Sequence, residues 1–227
     1  MFVVYMVLGG AGRLMDRLRD ETGPRFLRET VPTLLPWEPS RALRDMSSLV
    51  RRQRSSSGLG GGRAHARGTV QSLSNRRDAW LAYTVNTHRR LGTVTLHTSA
   101  NTLLIEIARD ESLPRGGRRA SITVDGKPLG SVNLETSELF DAQRRPLGQL
   151  AAGRTLIMQG MTDYRTVEMG GRALAEINDE PLGPLDRPGP MPPAFRIHAP
   201  QLSADEQWWL VALLGLALYS DCLSPDV

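Results

Sequence analysis

From Ser203 to Cys222 the chain reads SADEQWWLVALLGLALYSDC, and this stretch restricts the possible folds more than any other. Fourteen uncharged residues separate Glu206 from Asp221, about 21 Å of helix at a rise of 1.5 Å per residue. A bilayer core needs about 30 Å, and Gln207 and Ser220 trim the apolar part to twelve residues. The segment falls short of a membrane span. It is apolar on every face, so it must be buried on every face. Ser203 and Glu206 have the spacing of a capping box, Asp205 and Glu206 suit the positive end of a helix, and Pro225 stands beyond the last turn. The sequence therefore predicts a helix over 203–221 with the rest of the domain folded around it.

The segments able to wrap such a helix are short and rich in β-branched residues. Twelve candidate strands lie at 69–73, 79–86, 91–97, 102–108, 120–125, 129–135, 137–141, 147–150, 154–159, 163–168, 173–177 and 194–198. Pairs such as Val94 and Leu96, or Ile122 and Val124, alternate with polar residues as half-buried strands do. Short strands at close spacing with turn residues between them predict a sandwich or a barrel.

A loose repeat runs through the series. Val85-Asn86 precedes Leu91-Gly92-Thr93-Val94, Val124-Asp125 precedes Leu129-Gly130-Ser131-Val132, and Phe140-Asp141 precedes Leu147-Gly148-Gln149-Leu150. Val167-Glu168 before Leu174-Ala175-Glu176-Ile177 is a weaker copy. Each reads as a hairpin. The Asp or Asn bonds turn backbone, and the Leu and the later apolar residue face the core.

Repeated hairpins of Asp-x-x-x-x-Leu-Gly-x-Val texture, followed by a terminal apolar helix ending in ALYSD, resemble the tubby C-terminal-like superfamily, which includes LURP-one-related proteins and phospholipid scramblases. The resemblance covers about residues 68–223. It implies a mainly β fold, a closed antiparallel barrel of about twelve strands around a buried C-terminal hydrophobic helix. It also implies a non-enzymatic module that binds lipid or a protein partner. The segment NDEPLGPLDRPGPMPPAFRIHAP stands where scramblases carry an acidic calcium-binding segment, and its Pro-rich spacing departs from one. The lipid-binding basic residues of tubby proteins have no residue-by-residue counterparts here.

The first 67 residues read as an N-terminal tail, partly disordered and basic. Pro24, Pro32, Pro36 and Pro39 interrupt its weak helical signal, and RRQRSSSGLGGGRAHAR at 51–67 reads as a flexible linker. The folded domain is expected over 68–223. Net charge is +4, yet residues 1–90 hold sixteen Arg against seven acidic residues, and the remainder is net acidic. Arg51, Arg52, Arg54, Arg63 and Arg67 form the one patch suited to anionic lipid head groups, each worth about 1 kcal/mol near such a surface. The apolar run Phe2–Leu8 would add a second weak membrane signal. Few aromatics sit among these arginines, which argues against nucleic acid.

Cofactors and metals are not expected. His65, His88, His97 and His198 are scattered without metal-ligand spacing, Cys222 is the single cysteine, and Asp179, Glu180 and Asp186 read as solvated loop acids. One cysteine fits a reducing compartment, so the expected location is cytoplasmic, peripheral at a membrane. Two other readings stand beside the binding module: a hydrolase with a His/Asp/Glu site at a barrel mouth, and a protein anchored in a membrane by its C-terminal helix.

Overall fold

The computed structural model describes residues 24–56, 64–87, 91–109, 117–151, 164–178 and 191–223. Helix α1, described over 24–30, leads through a 3-10 turn (Val31–Thr33) to the short helix α2 (Pro39–Asp45). Then come β1 (Met46–Ser56), β2 (Ala64–Ser72), β3 (Ala79–Thr87), β4 (Leu91–His97), β5 (Thr102–Arg109) and β6 (Arg118–Val124). The sheet continues with β7 (Lys127–Asn133), β8 (Glu138–Asp141), β9 (Pro146–Leu150), β10 (Tyr164–Met169), β11 (Arg172–Asn178) and β12 (Phe195–Ile197), and the chain ends in helix α3 (Ala204–Leu223). The described residues form one twelve-stranded sheet in which every strand pairs antiparallel with its neighbours in sequence. A short seam brings its two ends together. Ser47 bridges Pro193, Ser48 N donates to Pro192 O at 3.0 Å, and Ala194 N donates to Met46 O at 2.8 Å. The result is a mainly β, nearly closed barrel with one C-terminal helix, as the sequence leads one to expect.

The four repeat copies are four hairpins, β3–β4, β6–β7, β8–β9 and β10–β11. Two of them turn on two residues with positive φ. Asp125 and Gly126 stand at 49° and 76°, and Gly170 and Gly171 at 58° and 75°. Those values match the turn whose twist suits a two-residue hairpin loop. Asp141 bonds its own turn, accepting from Gln143 N at 2.9 Å and Arg145 N at 2.8 Å. Asp125 instead reaches the adjacent β4–β5 turn, accepting from Thr102 N at 2.8 Å and Asn101 Nδ2 at 2.6 Å.

Helix α3 threads the barrel. Its residues from Trp209 to Leu216, with Leu218 and Tyr219, are buried, and they pack in one core with Val94, Leu96, Ile105, Ile107, Ile122, Leu139 and Val167 of the strands. Gly215 lets the helix approach β4 and β5, since a Cβ there would meet Ile105 Cδ1 at 2.5 Å and Leu96 Cδ1 at 2.9 Å. Among the described residues no helix is long and apolar enough to cross a membrane. The apolar faces of α3 are taken by strands.

The capping box forms as its spacing predicts. Glu206 N donates to Ser203 Oγ at 3.2 Å, and Ser203 N donates to Glu206 Oε2 at 2.7 Å. Arg172 Nη2 adds 2.7 Å and 2.8 Å bonds to the two Glu206 oxygens, tying the β10–β11 hairpin to the start of α3. Burial pushes the Glu206 carboxyl up, but the Ser203 amide and the Arg172 guanidinium outweigh it and leave it below its ordinary value. Ser203→Ala is expected to lower folding stability by about 1 kcal/mol, the usual cost of losing such a cap. A urea unfolding curve measures it.

The sheet begins at Met46, upstream of the boundary at 68 expected from sequence. Residues 46–56 and 64–67, read as the tail and its linker, lie in β1 and β2, with Val50 opposite Val70 and Arg54 opposite Ala66. The candidate strand at 154–159 lies outside the described residues, as do residues 1–23 with the Phe2–Leu8 run. Residues 34–45 close one end of the barrel. Leu43 and Ala42 are buried, Trp37 stacks on Trp208 of α3 with ring centroids 5.5 Å apart, and Leu35 N donates to Ala79 O at 2.9 Å.

Candidate functional site

Helix α3 starts at the end closed by α2 and finishes at the opposite mouth, where the Tyr219 ring lies against Gly92 at the start of β4. The adjacent strands end at the same mouth. In the β5–β6 ladder Ile105 pairs with Ile122, Ile107 with Ala120, and Arg109 with Arg118. Successive side chains on one face are two residues apart, so the two arginines continue the interior-facing register of Ile105, Ile107, Ile122 and Ala120. The four apolar residues are buried, whereas Arg109 and Arg118 are exposed. Together they form a cationic rim where the core gives out.

Like charges directly opposite one another in a ladder repel. Among the described residues, neither the Arg109 nor the Arg118 side chain makes a hydrogen bond or ion pair. Arg119, one residue on, faces the outside of the barrel with its guanidinium carbon 5.5 Å from the Phe140 ring centroid.

Of the five arginines singled out in the sequence, four lie in the first two strands. Arg51, Arg52 and Arg54 lie in β1, with backbones opposite Thr69, Gly68 and Ala66. Arg67 lies in β2 between the buried Ala66 and Gly68, so it faces outward, and its guanidinium carbon is 5.5 Å from the Phe26 ring of α1. Arg63 lies outside the described residues. So do residues 57–63, 88–90 and 110–116, whose sequence holds Arg63, Arg89, Arg90 and Arg115 together with Asp110 and Glu111. Arg109 and Arg118 escape sequence reasoning because they sit in the net acidic part of the chain. Their signal is positional: a basic residue closing one strand and another opening the next.

Guanidinium forks of this kind bind oxyanions through two parallel hydrogen bonds. The histidines are dispersed. His65 Nδ1 lies 2.6 Å from Asn86 Oδ1, His97 Nδ1 lies 3.2 Å from Thr102 Oγ1, and His198 Nε2 lies 3.7 Å from Glu176 Oε1 on the outer face of β11–β12. Burial holds His97 below its ordinary pKa. Among the described residues no three His, Cys, Asp or Glu side chains gather as a metal-holding group. His88, Asp179, Glu180 and Asp186 lie outside those residues.

The chain matches no protein-family model, no curated protein and no solved structure, so what can be said of its function rests on its own residues and geometry.

Proposed function

We propose that the protein is a non-enzymatic binding module of tubby-like type that docks peripherally on anionic membrane surfaces, with the open barrel mouth turned toward the head groups. The observation that carries this reading is the Arg109–Arg118 pair, which opposes two exposed like charges at the rim. Each arginine near an anionic surface adds about 1 kcal/mol, and the attraction falls away beyond a Debye length. The closed barrel and its helix serve as the scaffold that holds the rim in register.

Vesicle flotation tests the reading. The full chain should float with phosphatidylserine-containing vesicles at low salt, stay behind with neutral vesicles, and be released near 0.5 M salt. The double variant Arg109→Gln/Arg118→Gln should bind roughly 30-fold more weakly, since it loses about 2 kcal/mol of attraction, with unchanged thermal unfolding. Flotation that resists salt would mean hydrophobic insertion instead. Failure to float at all would end the membrane reading and direct attention to a protein partner.

A further inference from the structure

Leu91 opens β4 and is the only large apolar side chain among the described residues that stands exposed, at 60%. An isolated exposed leucine is ordinary on a protein surface, so its place in the barrel decides what it can do. It stands at the open mouth, next to Gly92, against which the Tyr219 ring lies. In the β4–β5 ladder it pairs with Ala108, itself exposed, and Ala108 precedes Arg109 of the rim. Val94 and Leu96 of the same strand are buried in the core, so alternation turns Leu91 outward. Within one ladder step the mouth therefore carries an outward apolar pair, Leu91 and Ala108, and the opposed cations Arg109 and Arg118.

A cationic rim by itself draws the barrel to an anionic surface without fixing a depth. One weak signal gives marginal, reversible membrane binding, and a second makes it stable. An apolar side chain passing between the head groups supplies that second signal. The outer face also limits how far it goes. The next outward pair down the ladder is Thr93 with Glu106, and Glu106 is exposed. Two residues of strand rise about 7 Å, so deeper insertion would carry the Glu106 carboxylate out of water, which an apolar layer strongly disfavours. Arg109 and Arg118 have long stems that keep their guanidinium groups among the phosphates while Leu91 enters.

We propose that Leu91 is the membrane-inserting tip of the rim, entering the boundary between head groups and acyl chains of an anionic bilayer; this rests on membrane docking at the mouth. Flotation of the full chain with phosphatidylserine-containing vesicles at low salt is compared with Leu91→Ala and Leu91→Phe, both at an exposed position that leaves the core intact. Leu91→Ala should bind roughly tenfold more weakly, and Leu91→Phe at least as tightly as the native chain. One leucine is too small to hold the barrel alone, so salt near 0.5 M should still release the native chain. A polarity-sensitive dye on Leu91→Cys, in a Cys222→Ser background, should shift to the blue on these vesicles. The same dye on Asp205→Cys, at the start of α3 and the closed end, should not shift. Salt-sensitive flotation of the native chain with equal flotation of Leu91→Ala would overturn the insertion and leave the cationic docking standing. An unshifted dye at position 91, or weaker binding of Leu91→Phe, would overturn it as well. No flotation of the native chain would overturn both.

Discussion

Replacing Gly130 by Ala should cost about 4 kcal/mol of folding stability, a large part of what a domain this size possesses. Gly130 sits in β7 at φ +157°, and a Cβ there would overlap the carbonyl oxygen of Phe140 and stand 2.7 Å from Trp209 Cζ2. The first obstacle is backbone of the paired strand β8; the second is a fully buried ring of α3. Neither can move without opening the ladder or displacing the helix. Gly126→Ala is the control. Its φ of +76° also disfavours Ala, but nothing lies within 4 Å, so only the backbone cost of about 1 kcal/mol applies. Gly215→Ala meets only the flexible ends of Ile105 and Leu96 and should cost about 1–2 kcal/mol. Urea unfolding midpoints rank the three. Trimming Trp209 in the Gly130→Ala background should restore little, because the Phe140 carbonyl remains. Equal losses at 126 and 130 would show that the close approach has no energetic consequence.

Asp45→Ala should be nearly as damaging, at about 3 kcal/mol. Asp45 ends α2, and its carboxylate accepts from Ser72 Oγ at 2.5 Å, Ser74 Oγ at 2.5 Å, Ser74 N at 2.9 Å and Trp80 Nε1 at 2.8 Å. Its backbone oxygen also accepts from Leu73 N at 2.7 Å. The carboxylate thus ties the segment that closes the barrel end to the β2–β3 loop, and its loss leaves the buried Trp80 indole N–H without an acceptor. Burial pushes this carboxyl up, but the Ser72, Ser74 and Trp80 donors outweigh it and hold its pKa below the ordinary 3.8. The sign follows from proton uptake. The unfolded chain takes up the proton first, so the contribution is complete well above pH 3.8. It declines as pH falls through that value and is gone below the lowered folded pKa. Unfolding measured from pH 6 down to pH 2.5 should show a steeper loss for the native chain than for Asp45→Ala. Parallel curves would refute the role. In a double-mutant cycle, Trp80→Phe should cost less in the Asp45→Ala background than alone.

Much of the barrel was legible in the sequence because its signals are local. Eleven of the twelve candidate strands coincide with strands of the sheet, since alternation and turn residues act over a few positions. The twelfth, 154–159, lies outside the described residues. The strand that sequence reasoning passed over is β1. MSSLVRRQRSS has no alternation of apolar and polar residues, and its arginines and serines carry the texture of a linker. It becomes a strand because β2 pairs with it from Val50 to Ser56, a contact that no local pattern announces. The Leu-Gly repeat was visible too, but the reason for its glycines was not. Gly92 makes room for Tyr219, Gly130 for Phe140 and Trp209, and Gly148 for the Glu168 backbone, each a partner distant in sequence.

The sequence by itself determined that twelve apolar residues near the C-terminus must be buried on all sides, that a capping box starts their helix, and that successive hairpins supply the enclosure. Burial of an all-round apolar helix and hydrogen bonding within a turn are demands that short segments make on their own. Only the tertiary structure decided that the N-terminal segment closes one end of the barrel. It also decided that Arg67 lies over the Phe26 ring, and that Arg109 and Arg118 meet at the open mouth. Those placements depend on strand register, which couples residues far apart in the chain and brings like charges together only once the ladder has formed.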